Sequence, residues 1–130
     1  MITSLYVKNV AVIKELNIDF NSGLSVLTGE TGAGKSVIMD CIGILIGTRP
    51  IKGKIRYGEQ NAVVQAGFDN LPKQVVEILD SLGYESNGEV VLQRNFNIEG
   101  KNQARLNGQP ITQSMAKEIG SLLISIHGQN

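Results

Sequence analysis

The sequence predicts a mixed α/β domain organised around one phosphate-binding loop. Residues 29–36 match the pattern G-x-x-x-x-G-K-[ST] at every defined position. Residues 24–28 predict a short buried strand before the loop. Residues 37–46 predict a helix that is apolar on nearly all sides and ends at about Gly47. A strand leading into the loop and a helix leaving it are the context that the motif requires, so they favour a nucleotide triphosphate site over a chance match.

The loop supplies the groups that a magnesium-complexed triphosphate needs. Its glycines allow successive backbone N–H groups to point inward, and a helix that begins near Lys35 adds the positive end of its dipole. Lys35 provides a full charge for the β and γ oxygens, and the Ser36 hydroxyl is a suitable ligand for Mg²⁺. The alternative is a glycine-rich turn that precedes a helix by chance. The candidate nucleotide-binding residues are Gly29, Glu30, Thr31, Gly32, Ala33, Gly34, Lys35 and Ser36.

The rest of the chain predicts further strands, a hairpin and a helix. The expected strands lie at residues 2–7, 14–20, 62–69, 89–96 and 103–106. Pro72 suits the first turn of a helix over residues 73–82. Asn107-Gly108 predicts a type I′ hairpin turn, because both central positions of that turn need φ > 0.

The last part of the chain predicts a helix followed by a second buried strand. The helix is expected to start at Thr112 or Gln113, to continue through about Ile119 and to end at Gly120. Residues 122–126 are apolar except for Ser125 and predict a buried strand. We expect this strand and the strand before the loop to lie in a central, partly parallel sheet, with antiparallel ribbons in front and behind.

Length and composition limit the classes of function. The chain has 130 residues, which is one domain but short for a complete phosphate-loop ATPase and therefore predicts a fragment. Its 12 Lys and Arg residues balance 12 Asp and Glu residues, so no overall positive field favours nucleic acid. The single cysteine, Cys41, excludes an internal disulfide and is expected to be buried in the loop helix. No leader and no membrane-length apolar run is present, which predicts a cytosolic protein.

One segment of unbalanced charge follows the loop helix. Residues 49–56 contain Arg49, Lys52, Lys54 and Arg56 and no acidic residue. Such a run is either a solvated surface connection or a contact for phosphate, belonging to the nucleotide or to a nucleic acid backbone. The sequence leaves both interpretations open.

Catalytic carboxylates are not evident. Hydrolysis needs a carboxylate for Mg²⁺ and a group that positions the attacking water. Asp69 ends an expected strand, but Gln65 and Gly67 make that strand a poor match. Asp80 lies on the solvated face of an expected helix. His127 fits a structural hydrogen-bonding role at a strand end better than the role of a general base.

Five features together resemble one family. They are the loop at residues 29–36, the Gly-Thr-Arg at 47–49, Gly100, Asn107-Gly108, and the Ile-His-Gly-Gln at 126–129. In this combination the chain resembles the N-terminal head lobe of the RecN family, which are bacterial ATPases for repair of DNA double-strand breaks. It is similar, more loosely, to the structural maintenance of chromosomes (SMC) proteins and their ABC-type heads. The resemblance extends over essentially the whole chain.

The resemblance implies a P-loop NTPase fold of the ABC/SMC head lobe I type, with ATP and Mg²⁺ as cofactors. It implies that Gln129 is the glutamine of the Q-loop, in contact with the metal and the attacking water, so that Ser36 and Gln129 are the metal-contacting residues. It further implies that Arg49 lies near the phosphates and that Lys8 and Asn9 flank the adenine or the ribose.

The resemblance also implies what lies outside the chain. In the family, a long coiled coil and a second lobe with the signature motif, the metal-holding Asp and the catalytic Glu follow this lobe. Residues 1–130 would therefore be the ATP-binding lobe and inactive alone. The implied partners are the C-terminal lobe of the same protein, a second head in an ATP-closed dimer, and DNA in the nucleoid. The hairpin residues Lys101, Asn102 and Gln103 depart from the family pattern of basic and hydroxyl residues.

Two other functions compete with this interpretation. One is a stand-alone nucleotide-binding module, such as a small kinase or a regulatory GTPase. Against it count the missing arginine-bearing lid and the missing Asn-Lys-x-Asp base-reading motif. The other is a structural domain with a vestigial loop, against which the intact Lys35 and Ser36 count.

Overall fold

A computed structural model describes residues 1–20, 32–48, 51–84 and 87–128, and it describes side chains throughout these ranges except at 32–36 and 125–128. The elements, in chain order, are β1 Ile2–Val10, β2 Ile13–Asp19, α1 Gly32–Ile46, β3 Asn61–Asp69, α2 Lys73–Leu82, β4 Glu89–Asn97, β5 Asn102–Leu106, β6 Gln109–Ile111 and α3 Gln113–Gly128.

The described strands form one six-stranded sheet in the order β2-β1-β3-β4-β5-β6. Every pairing among them is antiparallel. The sequence predicted β1 to β5 correctly, because side chains alternate between a buried and a solvated face along each of them. In β4, for example, Val90, Leu92 and Phe96 are buried while Val91 is exposed.

Among the described elements, helices α1 and α3 contact the apolar face of the sheet. α1 packs against β3, β4 and α3, and α3 also packs against α2 and β5. α1 begins at Gly32, about one turn before the expected start, and Gly47 follows it in the left-handed conformation with φ 85°. The predicted end of this helix is confirmed.

Two predictions that rest on proline, glycine and asparagine at element ends are confirmed. α2 begins directly after Pro72 and is closed by Gly83 at φ 78°, with Val75 and Leu79 on its buried side. At the β5–β6 hairpin, φ is 49° at Asn107 and 84° at Gly108, as a type I′ turn requires.

The predicted strand at residues 122–126 is wrong, because α3 continues as one helix from Gln113 to Gly128. Ala116, Ile119, Gly120 and Leu123 are buried at helical spacing and pack inward. Gly120 does not end the helix: a Cβ there would lie 2.7 Å from the Cβ of Ile46, so the glycine permits close approach of α3 to α1.

The predicted central sheet changes accordingly. One of its two expected members is helical, and the other, residues 24–28, lies outside the described residues. The described part of the core therefore consists of the antiparallel sheet and the helices that pack with it.

Candidate functional site

The second half of the predicted phosphate loop, residues 32–36, opens helix α1. Lys35 and Ser36 thus lie at the end of the helix where backbone N–H groups lack intrahelical partners and the dipole is positive. Residues 29–31 lie outside the described residues. The described part of the motif is thus the beginning of α1.

The C-terminal half of α1 anchors this end of the loop in the core. Cys41, Ile44 and Leu45 are fully buried. Burial raises the pKa of the Cys41 thiol to about 11, and the nearby Asp40 carboxylate adds to the shift. The prediction that Cys41 is a buried small hydrophobe is confirmed, and the helix that carries Lys35 is held by packing.

Asn9 joins the end of β1 to the start of β3. Its φ is 61°, a left-handed conformation that asparagine tolerates better than most residues, and it is 9% exposed. Its Nδ2 donates to the Asn61 carbonyl at 3.1 Å and to Glu59 Oε1 at 3.5 Å. The side chain therefore fixes the chain that enters β3 against β1.

The same turn of backbone holds the basic segment, by which we mean Lys52, Lys54 and Arg56. The Ala11 N–H donates to the Lys54 carbonyl at 2.6 Å, and the Arg56 N–H donates to the Asn9 carbonyl at 2.8 Å. Within the described residues, none of the three basic side chains has an ion-pair or hydrogen-bond partner. The segment is thus fixed by its backbone, while its cationic groups have no partner in the part of the chain that the structure describes.

A cavity of about 490 Å³ opens beside Asn9. Its lining includes Asn9 and the exposed Lys8, which are both predicted site residues. Amide groups act as donors and acceptors at once, so such a lining suits the edge of a base or the hydroxyls of a ribose. The residues that line it are Lys8, Asn9, Gly58, Glu59, Gln60, Asn61 and Val63.

Sequence reasoning missed the far wall of this cavity. Glu59, Gln60 and Asn61 carry no local motif, and they reach Lys8 only because β1 and β3 pair. The exposed Tyr57 precedes them and is 99% accessible. These polar residues stand together just before an expected strand, which indicates an exposed polar surface. The sequence does not show which other residues complete that surface.

The other predicted residues lie either outside the described residues or elsewhere in the fold. Arg49 and Gln129 lie outside the described residues, and His127 lies in α3 rather than at a strand end. Asp80 is exposed on α2, as expected of a solvated face.

Asp69 is remote from the cavity, at the opposite end of β3. Eight residues of strand place it about 27 Å from Asn61. Its backbone carbonyl accepts a hydrogen bond from the N-terminal ammonium of Met1, which also lies 4.0 Å from its Oδ1. The structure therefore gives it a structural contact and supports the expectation that it is a poor catalytic carboxylate.

Arg94 is a buried cation that sequence reasoning missed. It is 5% exposed on the inner face of β4, between Val64 and Ala104 on the neighbouring strands. Its Nε and Nη2 have no hydrogen-bond partner within the described residues, and burial lowers its pKa. The signal was visible, since Arg94 takes an inward position in the alternation of β4.

The described part of the chain contains no group of three or more His, Cys, Asp or Glu residues that could hold a metal ion. Over the same residues, no helix has the length and apolar character needed to cross a membrane.

Comparison with known sequences identifies close relatives. The sequence model of the AAA domain family matches residues 4–130. The DNA repair protein RecN of Halalkalibacterium halodurans is 42% identical and that of Bacillus subtilis 41% identical, each over 132 residues and the whole of this chain. The chain spans 23% of the length of each of these relatives.

Comparison with solved structures identifies the fold. A chain from work on ATP-driven dimerization and DNA-stimulated activation of SMC ATPases has a TM-score of 0.68 at 24% identity, covering 95% of this chain and 79% of its own. The SMC head domain from Thermotoga maritima gives 0.58 at 18% identity, covering 90% and 41%. The recombination mediator RecF with ATP gives 0.59 at 14% identity, covering 92% and 30%. The predicted fold class is confirmed, and the small kinase or GTPase is not favoured.

Proposed function

The chain belongs to the AAA domain family, and from that premise we propose that it is the ATP- and Mg²⁺-binding lobe of an SMC-type ATPase that acts in recombinational repair of DNA double-strand breaks. The carrying observation is a complete phosphate-loop motif whose second half opens a core-anchored helix in an SMC-head fold. RecN proteins 41–42% identical over the whole chain support the assignment to DNA repair.

The loop residues would bind the phosphates in a defined way. The backbone N–H groups of the glycine-rich stretch and of the α1 N-terminus would donate to phosphate oxygens, and the Lys35 ammonium would neutralise the β and γ charges. The donor set fits Mg²⁺, because Ser36 offers a hard oxygen and this ion retains water and phosphate oxygens rather than requiring a protein cage. When bound, Mg²⁺ supplies charge neutralisation between the β- and γ-phosphates.

The Asn9 cavity would receive the base or the ribose. Lys8 and Asn9 would contact that part of the nucleotide, and the amides of Gln60 and Asn61 extend the same wall. Arg49 near the phosphates and Gln129 at the metal and attacking water complete the proposed binding set.

The chain would be one lobe of a larger ATPase. Its relatives are about four times longer, which leaves room for a coiled coil and a second lobe with the signature motif and the catalytic carboxylates. Closure of two such heads over ATP would then complete the site, and the partners would be the C-terminal lobe, a second head and DNA. The basic segment, with its unpaired cations, is the proposed DNA contact within this lobe.

The proposal predicts nucleotide binding without turnover. The isolated chain should bind Mg·ATP weakly in a fluorescent-nucleotide titration, and Lys35→Ala should reduce the affinity at least about tenfold, which corresponds to about 1.4 kcal/mol. Lys14→Ala is the matched control, because Lys14 is an exposed lysine on β2 outside the cavity. Equal affinity of the two variants would refute the role of the loop, and steady hydrolysis abolished by Lys35→Ala would refute the incomplete site.

A further inference from the structure

A second polar pocket lies beside the Asn9 cavity, across the ends of β3, β4 and β5. It has a volume of about 470 Å³. We call it the amide pocket. Its polar lining is Asn61, Asn95, Asn97, Lys101, Asn102 and Gln103, and its floor is apolar with Ala62, Val63 and Phe96.

Several side-chain donors and acceptors of the amide pocket have no hydrogen-bond partner within the described residues. Within the described residues the Asn61 side chain makes no hydrogen bond, Asn95 uses only its Nδ2, on Gln93, and Gln103 uses only its Oε1, which accepts from Arg105. The buried Asn102 Oδ1 also lacks a donor there. The pocket lining therefore contains free donors and free acceptors, with Asn61, Asn95 and Gln103 on the outer face of the sheet and Asn102 on the inner face.

The one cation of the pocket is held in place. Asn97 Oδ1 accepts hydrogen bonds from the backbone N–H groups of Glu99 and Lys101, both at 3.0 Å. The Asn97 N–H in turn donates to the Lys101 carbonyl at 3.0 Å. This closed turn fixes the point from which the Lys101 side chain extends beside the amides.

These features do not suit a nucleic acid backbone. A phosphodiester chain is bound by a series of cations, whereas the pocket lining contains a single lysine. The pocket instead offers neutral donors and acceptors with one positive charge.

We infer that the amide pocket binds a short extended peptide that carries an acidic side chain. A peptide backbone presents alternating N–H and C=O groups, which the free amides pair with, and its carboxylate pairs with Lys101. The pocket crosses two strand spacings, about 10 Å, which is the length of about three extended residues. The half-buried Val63 and the 63% exposed Ile98 at the adjoining rim provide contact for an apolar neighbour.

The test uses the ¹⁵N-labelled protein and three end-capped pentapeptides, Ser-Val-Glu-Thr-Ser and its variants with Gln or Lys in the centre. The Glu peptide should shift the side-chain NH₂ signals of Asn61, Asn95 and Gln103 and bind about tenfold more tightly than the Gln peptide. Lys101→Glu should make the Lys peptide the preferred ligand. Lys14→Glu, an equal charge change elsewhere on the surface, should leave the order unchanged.

Three results would overturn the inference. They are an absence of shifts up to the solubility limit, equal affinity for all three peptides, and displacement of the peptide from these amides by a short single-stranded oligonucleotide. The assay contains no nucleotide triphosphate, so its result is independent of whether the phosphate loop binds ATP.

Discussion

Replacement of Asn9 tests how the candidate nucleotide cavity is held together. Asn9→Gly keeps the left-handed backbone free of strain but removes the donor to the Asn61 carbonyl. Loss of this partly buried hydrogen bond should cost about 1–2 kcal/mol. Asn9→Ala removes the same bond and also places a Cβ at φ 61°, which should add about 1 kcal/mol.

A second asparagine separates the two contributions. Asn87 has φ 52° in an exposed turn, and within the described residues its side chain makes no hydrogen bond. There Ala should cost about 1 kcal/mol and Gly close to nothing. Urea unfolding followed by circular dichroism gives all four values, provided that the m-value is unchanged. If glycine were tolerated equally at both positions, the side chain of Asn9 would have no role in joining β1 to β3.

The remaining predictions concern packing, charge and the buried thiol. Gly120→Ala should destabilise the protein by about 1–3 kcal/mol in the same urea assay, because its Cβ would overlap Ile46. The control Ser121→Ala should be neutral or slightly stabilising. A neutral Gly120→Ala would contradict the close approach of α1 and α3. Neutralising the basic segment in the full-length protein should flatten the salt dependence of DNA binding, and an unchanged slope would remove that contact. The raised pKa of Cys41 means that the fold disfavours its thiolate. The contribution of Cys41 to the free energy of unfolding should therefore be constant below pH 9 and fall as pH rises towards about 11. Unfolding of wild type and Cys41→Ala as a function of pH checks this, and identical profiles would refute it.

The sequence predicted those elements whose cause is local. The hairpin at Asn107-Gly108 follows from the φ that two adjacent positions must adopt, and α2 follows from a proline before it and a glycine after it. Each of these signals acts within a few residues and needs no knowledge of the rest of the chain.

The strand at 122–126 failed because a short apolar run does not distinguish a strand from a buried helix. Gly120 was interpreted as a helix stop, but its small size serves a contact with Ile46 that is 74 positions earlier in the chain. The helical spacing of Ala116, Ile119 and Leu123 was the better signal, since it continues through the glycine.

The candidate site shows the same division between local and distant causes. The phosphate-loop motif is contiguous, so the sequence alone predicts it. The cavity wall is not: Asn9 contacts Asn61 across 52 positions, and only the pairing of β1 with β3 brings them together. Arg94 lies between these cases, because the alternation of β4 predicts its burial but gives no partner for its charge.

The position of Asn9 has a consequence for how the two proposed ligands influence each other. Its side chain donates to the Asn61 carbonyl in the wall of the candidate nucleotide cavity, and its backbone carbonyl accepts from the Arg56 N–H of the basic segment. A nucleotide that favours one arrangement of Asn9 therefore also favours one arrangement of that segment. Because coupling between binding sites is reciprocal, an anionic partner on the basic segment must alter nucleotide affinity by the same factor as the nucleotide alters the affinity for that partner. Asn9→Gly removes the side-chain link without adding backbone strain. It should therefore bring both affinity ratios, nucleotide with and without the anionic partner and partner with and without nucleotide, towards one.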